Sequence, residues 1–281
     1  MSHFLRPIQI VIVIYEIELK NSLSYKTLCD NISVLSCDYE LLIYNNSPEF
    51  TIEEKDNYVV VNARQNEMLS GAYNYALQRA INHGCDWLLL LDQDTCLTKE
   101  YFEQLNVAMN LNVDVAAIIP KLQLKQKHLS PIFYCPLLGP WAKMTNICKD
   151  GIINNKTILA FNSVALFSVN ALDKIGGFSS DFPLDSLDFY IFYRLSKNKE
   201  QFYLMNAALQ HDLSVRDYKN KMTIQRYITI IDSEYKFSKL LGIFAILTFK
   251  FRLVLRFFKQ FLIKEKQPYM LLTLRYLFKI N

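Results

Sequence analysis

The chain has little of what makes flexible linkers and lacks the local patterns of several common enzyme sites. Of its 281 residues only 7 are Gly and 8 Pro, so no low-complexity tether is expected, and no internal repeat is present. The six cysteines (Cys29, Cys37, Cys85, Cys96, Cys135 and Cys148) form no CxxC pair and no secretory leader accompanies them, so they are expected as reduced thiols in the cytosol. Neither GxxxxGK nor HExxH occurs, which excludes P-loop and zincin chemistry. Long apolar runs are also missing. The run Ile8–Tyr15 is too short to span a bilayer and has no small-residue cleavage site, so it reads as a first buried strand.

What is present is a globular composition, 51% hydrophobic and 21% charged, in a chain long enough for one domain or one domain plus an appendage. The net charge of +4 is unevenly placed: ten Lys/Arg stand against the single acid Glu265 from Lys236 onward, leaving the preceding part net acidic. Nucleic-acid binders carry basic residues on the working face, so this distribution points away from nucleic acid and toward an anionic membrane surface. Leu240–Phe249 is uncharged but Lys250 and Arg252 interrupt it, so no spanning helix is expected. At helical spacing Arg252, Arg256, Lys259 and Lys266 share one sector and Val254, Phe257, Phe258 and Phe261 lie opposite, with Lys250 and Lys264 intruding near the ends. That is the pattern of an in-plane interfacial helix. The alternative is that these helices pack on the catalytic domain or form a homodimer interface.

The densest signal is Trp87–Leu91, a short apolar run that ends in Asp92-Gln93-Asp94. The run suits a strand buried on both faces, and Asp, a poor strand residue, belongs where the strand stops. Open α/β sheets bind ligands at that carboxyl edge. Two hard oxygen ligands there suit Mg²⁺ or Mn²⁺ shared with a diphosphate; alone, the pair could equally cap the next helix. Around it the pattern alternates: strands at Ile8–Tyr15, Leu41–Tyr44, Tyr58–Val61, Val115–Ile119, Ile158–Val169 and Phe202–Met205, and helices at Lys20–Leu35, Asn66–Ile81, Lys99–Met109 with Thr98 as N-cap, and Ser186–Ser196. Residues 120–156 read as irregular, and helices dominate after about residue 218. Such alternation implies a mostly parallel sheet flanked by helices. The expected division is a catalytic domain over 1–217, its nucleotide-sugar half at about 1–119 and its acceptor-side half at 120–217, followed by a helical region over 218–281.

Further motifs accompany the acidic pair: Tyr44-Asn45-Asn46-Ser47, Asn62-Ala63-Arg64 followed by Asn66 and Gly71, Gly176-Gly177-Phe178, Leu184-Asp185-Ser186-Leu187-Asp188-Phe189 with Arg194 six residues beyond Asp188, and His211. In this order and spacing the chain resembles the family 2 glycosyltransferases of the GT-A fold, most closely the bacterial rhamnosyltransferase-like branch that builds surface polysaccharides. The resemblance covers about residues 8–215. It implies a GT-A-like, Rossmann-type, mostly parallel sheet with a basic, apolar helical appendage. It also implies nucleotide-sugar contacts from Asn45, Arg64, Asn66, Gly71 and Asp92, a metal motif at Asp92 and Asp94, a general base at Asp188, and metal or diphosphate binding at His211. The chain departs from the pattern where Asn45 replaces a common Asp, Val164 the Gly of a Ser-Gly pair, and Tyr190 an acid two residues beyond the base.

The implied activity is inverting transfer of a sugar, rhamnose from dTDP-rhamnose as the first expectation and a UDP-hexose as the alternative, to a glycan or polyprenyl-linked acceptor. The enzyme would be peripheral on the inner face of the bacterial cell membrane. A divalent ion stabilises the departing diphosphate and a carboxylate accepts the acceptor's proton. Asp185 is the second candidate base. Arg64 fits either a diphosphate contact or a solvated turn, and Tyr73, Tyr75 and Phe189 are expected in the core. A degenerate, non-catalytic nucleotide- or membrane-binding scaffold is the rival reading.

Overall fold

The computed structural model describes residues 7–111, 113–124, 127–134, 145–147, 149–154, 157–210 and 222–279. The chain divides into two compact units, Met1–Ile132 with Asn146–Asp212, and Phe133–Thr145 with Leu213–Asn281.

The first unit is built on one sheet. Strands β1 (Ile8–Ile14), β2 (Tyr39–Asn45), β3 (Val59–Asn62) and β4 (Trp87–Leu91) run parallel in the order β3-β2-β1-β4. Strands β5 (Ala117–Leu124), β6 (Lys127–Ser130), β7 (Gly151–Ile153), β8 (Leu166–Ser168) and β9 (Phe202–Gln210) extend it to nine strands, ordered β3-β2-β1-β4-β8-β5-β9-β7 with β6 on β5. β8 is antiparallel to both β4 and β5, so β5 and β9 point the same way as the first four. Helices α1 (Leu23–Asn31), α2 (Met68–Asn82), α3 (Lys99–Asn110), α4 (Val169–Lys174) and α5 (Leu187–Lys197) connect them. The result is a mixed α/β fold, mostly parallel and flanked by helices.

Burial explains the unbroken apolar strands. Ile8, Ile10, Ile12 and Ile14 of β1 pack in one cluster with Leu28 of α1 and Tyr101, Phe102 and Leu105 of α3. The alternating Val11 and Val13 are buried too and face the other way, where α2 contacts β1 and β4. Helix ends follow their caps. Ser22 accepts from Tyr25 N–H at 3.2 Å and starts α1 there, so the helix is shorter than the expected Lys20–Leu35 and carries 3₁₀ turns at Leu19–Asn21 and Ile32–Val34. Thr98 caps α3 through Tyr101 N–H at 3.2 Å, as the sequence predicts. The expected strand Ile158–Val169 is not continuous: only Ile158–Leu159 and β8 are strand, because the chain turns at Asn162–Val164. Among the described residues Cys29, Cys37, Cys85 and Cys96 are free thiols.

The second unit is helical: α6 (Ile224–Leu241), α7 (Ile243–Leu262), a 3₁₀ segment at Lys264–Tyr269, and α8 (Met270–Leu277). Gly242, at φ +102°, breaks α6 from α7. Tyr227, Ile231, Tyr235, Phe249, Leu253, Tyr269 and Tyr276 form its core. A polar network crosses that core: Gln260 Nε2 donates to Tyr227 Oη at 2.9 Å, Gln260 Oε1 accepts from Thr273 Oγ1 at 2.8 Å, and the Tyr227 and Thr273 hydroxyls lie 2.6 Å apart. Packing against α6 and α8 sets which stripe of α7 faces outward. Phe258 and Phe261 are exposed as expected, whereas Val254 and Phe257 are half-buried and the outward row runs through Phe244, Leu247, Phe251, Leu255 and Phe258. Among the described residues no helix is long and apolar enough to cross a membrane.

Candidate active site

The four parallel strands bring their carboxyl ends to one sheet edge, as open α/β folds do at ligand sites. The turn after β2, the segment after β3 and the acidic pair after β4 therefore share that edge.

The acidic loop is held from below. Ser22 Oγ donates to Gln93 O at 2.8 Å, Ser24 Oγ donates to the carbonyls of Asp92 and Thr95, and Asp92 N–H donates to Ser163 Oγ at 3.2 Å. Tyr73, fully buried on α2, donates its hydroxyl to Asp92 Oδ1 at 2.9 Å. Burial, followed by the charges of Asp92, Asp188 and Asp94, holds the Tyr73 phenol well above its ordinary pKa, so it stays a proton donor in this acidic surround. Asp94 is exposed.

Asp188 sits in the first turn of α5. Its residue keeps partial solvent contact, yet its carboxyl lies among densely packed protein atoms. Burial first, then Asp92 and Asp185, push it from 3.8 up to about 8, against a backbone hydrogen bond from Asn162. The field of Asp92 on Asp188 joins the acidic pair and the candidate base in one site. Asp185 is half-buried in the loop before the helix.

The Asn162-Ser163-Val164 turn lies between them. Ser163 supports Asp92, and the Asn162 side-chain amide is buried with no hydrogen-bond partner among the described residues. Val164 adopts φ +62°, a left-handed conformation that a β-branched residue enters at a cost of about 1–3 kcal/mol. Its N–H donates to Leu90 O at 2.8 Å and its carbonyl accepts from Tyr101 Oη at 2.9 Å, which holds it there. Valine thus keeps the backbone form that a Ser-Gly pair would take freely.

The Gly176-Gly177-Phe178 loop is clamped by Asn74, whose Nδ2 donates to Phe178 O at 2.7 Å and whose Oδ1 accepts Phe178 N–H at 2.8 Å. Gly177 is at φ +70°, and a Cβ there would meet Asn74 Oδ1 at 2.6 Å. Ser70 N–H donates to Pro183 O at 3.0 Å, so α2 also fixes the approach to α5.

The remaining sequence candidates fall as follows. Asn45 is fully buried, and its amide is used within the protein: Nδ2 donates to Phe50 O at 2.7 Å and Asn62 Oδ1 at 2.8 Å, and Oδ1 accepts Ser47 N–H at 3.1 Å. A carboxylate could not make those donations. Arg64 is exposed on the turn after β3. Asn66 Oδ1 accepts Met68 N–H at 2.9 Å at the head of α2. Gly71 has a steric reason, since a Cβ would come 2.7 Å from Glu67 Cβ, and the Glu67 carboxylate takes the Tyr44 hydroxyl at 2.6 Å. Tyr190, where an acid would stand, accepts from Arg194 at 2.7 Å. Tyr73 is core as expected, whereas Tyr75 is 45% exposed. His211 lies outside the described residues.

Among the described residues no group of three or more His, Cys, Asp or Glu side chains could hold a metal ion. Two carboxylates at a strand end still fit an ion whose shell is completed by water and diphosphate oxygens. Sequence reasoning missed Ser24, Asn74 and Asn162, whose contacts span the chain. It placed Tyr73 in the core but not its hydroxyl on Asp92.

No protein-family model and no curated protein sequence matches the chain. Solved structures do. It is similar to GalNAc-T7 with UDP, GalNAc and Mn²⁺ (TM-score 0.55, 11% identity, 89% of this chain and 54% of that one). It is also similar to S. aureus TarS (0.54, 10%, 86% and 50%) and to TarS 1–349 (0.51, 10%, 83% and 73%). The chain spans about half the length of the first two. These neighbours are glycosyltransferases, and the shared architecture is the GT-A fold.

Proposed function

We propose that the chain is a metal-dependent, inverting glycosyltransferase that uses a nucleotide-diphosphate sugar. The observation that carries this reading is the electrostatic coupling of Asp188 to Asp92 at the carboxyl edge of a GT-A sheet, with Tyr73 bonded to the metal-motif acid. Asp92 and Asp94 would hold the divalent ion, Mg²⁺ or Mn²⁺, which would supply the Lewis acidity that stabilises charge on a departing diphosphate. Asp188 accepts the proton of the acceptor hydroxyl as its oxygen bonds to the anomeric carbon, while the bond from that carbon to the diphosphate breaks. One displacement inverts the centre. Burial and Asp92 tune Asp188 toward neutral pH, where a base works best.

By resemblance the donor is dTDP-rhamnose, with a UDP-hexose as the alternative that GalNAc-T7, solved with UDP and GalNAc, keeps in view. Asn45, Arg64, Asn66 and Gly71 are assigned to the donor side and His211 to metal or diphosphate, also by resemblance. The acceptor is a hydroxyl of a polyprenyl-linked surface glycan, which places the work at the cytoplasmic membrane face. The test is a donor screen on purified protein, scoring nucleoside diphosphate release with and without Mn²⁺ or Mg²⁺. Release with one donor and stimulation by the ion are expected. Binding without release for every donor would favour the scaffold reading.

A further inference from the structure

Helix α7 carries an apolar face that the packing of the helical unit leaves exposed. Phe244, Leu247, Phe251, Leu255, Phe258 and Leu262 recur every three or four residues, and each is more than half exposed. On the other side of the helix Ile246, Phe249, Leu253 and Gln260 are buried within the unit. The exposed row runs the length of a 20-residue helix, about 30 Å. More than half of the exposed large apolar side chains among the described residues lie between Leu240 and Phe278. A contiguous apolar surface of this extent marks contact with a partner or a membrane.

The surroundings of the row identify what covers it. Helix α7 has four cations and no acid, and at helical spacing Lys250 and Lys259 lie about 100° and about 80° to either side of Phe251. A second copy laid row against row would bring only positive charges of α7 to the seam. Lysines that flank an apolar face in a bilayer instead lay their stems along it and reach the headgroups with their ammonium groups. The row is also rich in Phe, as in helices that lie in the interfacial plane. Among the described residues no helix is long and apolar enough to cross a membrane, so α7 would meet a bilayer along its length rather than through it. Charge alone does not single out this face. Arg256 is paired with Glu234 at 2.8 Å, Glu234 also acts on Arg252, and Glu265 acts on Lys266. The driving force for docking therefore lies in the apolar row.

We infer that α7 lies in the plane of a bilayer with the row from Phe244 to Leu262 sunk to the acyl boundary, so that the chain attaches to lipid by apolar insertion. The inference rests on the proposed membrane-face location and names the element and the force that hold the chain there. Co-sedimentation of the full chain with phosphatidylcholine vesicles tests it. The parent should bind these uncharged vesicles, and binding should persist at about 0.5 M NaCl, which screens exposed charges. F251S/F258S should weaken partitioning by on the order of 100-fold, about 2.7 kcal/mol. F251L/F258L should keep it within a few-fold. The control V107S/L111S, which removes exposed apolar side chains at α3 in the other unit, should leave it unchanged. Binding only to vesicles that contain phosphatidylglycerol, and lost in salt, would make the attachment electrostatic and overturn the inference. Equal partitioning of F251S/F258S and the parent would overturn it as well. So would a lipid-free dimer in light scattering that F251S/F258S abolishes while the parent leaves vesicles unbound, which would give the face to a second copy. If F251S/F258S does not fold, F244S/L247S on the same row carries the measurement. Vesicle binding is read without nucleotide sugar, so its failure leaves glycosyl transfer standing, and an inactive enzyme that binds through the row would still support the inference.

Discussion

Replacing Asp188 by Asn should stabilise the metal-free protein while disabling it, and the size of both effects follows from its surroundings. Asp188 titrates from 3.8 up to about 8, chiefly through burial and then through Asp92. Because the folded value is the raised one, the protonated carboxyl is the form that folding prefers. Stability is intact below pH about 4, declines as pH rises, and reaches its floor once pH passes about 8. The span between those values, at about 1.4 kcal/mol per pK unit, sets a ceiling of about 5–6 kcal/mol. Partial solvent contact reduces this to about 2–3 kcal/mol. Asn mimics the neutral carboxyl and keeps an acceptor for the Asn162 N–H. Denaturant unfolding in EDTA should therefore show the variant converging with the parent near pH 4 and exceeding it by about 2–3 kcal/mol at pH 9. Turnover should fall by on the order of 10²–10⁴, the usual worth of a positioned base, with donor affinity nearly unchanged. An offset that stays constant from pH 5 to pH 9, or a parent more stable at pH 9, would refute the electrostatic account. Collapse of donor binding with turnover per bound donor intact would move the base elsewhere, with Asp185 next.

Asp92→Asn and Asp94→Asn should each abolish metal-stimulated diphosphate release with the circular dichroism spectrum unchanged, and full activity in the double variant would remove the metal assignment. Tyr73→Phe deletes the bond to Asp92 Oδ1, so it should cost about 1 kcal/mol of stability and raise the Mn²⁺ concentration for half-activation by about 10–100-fold. An unchanged metal dependence would make Tyr73 purely structural. Gly177→Ala meets both a left-handed backbone and the Asn74 clamp, so it should cost about 1–3 kcal/mol, and less in an Asn74→Ala background. Additive costs in that cycle would show that the clamp is not the obstacle.

The strands were legible because the sheet buries both faces of β1 and β4, and continuous Ile, Val and Leu are what such burial demands. The acidic pair was legible because two Asp after such a run can only end it. The turn at Asn162–Val164 was not, because local preference forbids its backbone: a Val at φ +62° is tolerated only through Leu90 O and the Tyr101 hydroxyl, both remote in sequence. Tyr73 looked like core because it is core, and only its hydroxyl, aimed at Asp92, carries the second role. Helical spacing in the tail predicted an amphipathic α7. Which stripe would face outward depended on where α6 and α8 pack, information that one helix does not contain.

One helix couples these parts. Along a few turns, α2 offers Ser70 N–H to Pro183 O, Tyr73 to Asp92, and Asn74 to Phe178 on both its amide atoms. Asn46, at the end of β2, fixes the head of that helix by accepting Glu67 N–H at 2.8 Å and donating to Met68 O at 3.1 Å. Asp92, the glycine loop and the chain leading to Asp188 are thus referenced to a single rigid element rather than to one another. Catalytic groups on separate loops need such a common reference, because a displacement of about 1 Å between reacting groups can cost on the order of 10² in rate. A Cβ at Gly71 or Gly177 would press on Glu67 or Asn74, and so on the same helix. The same arrangement makes Asn46 the point at which the turn after β2 is tied to the helix that holds the acidic pair.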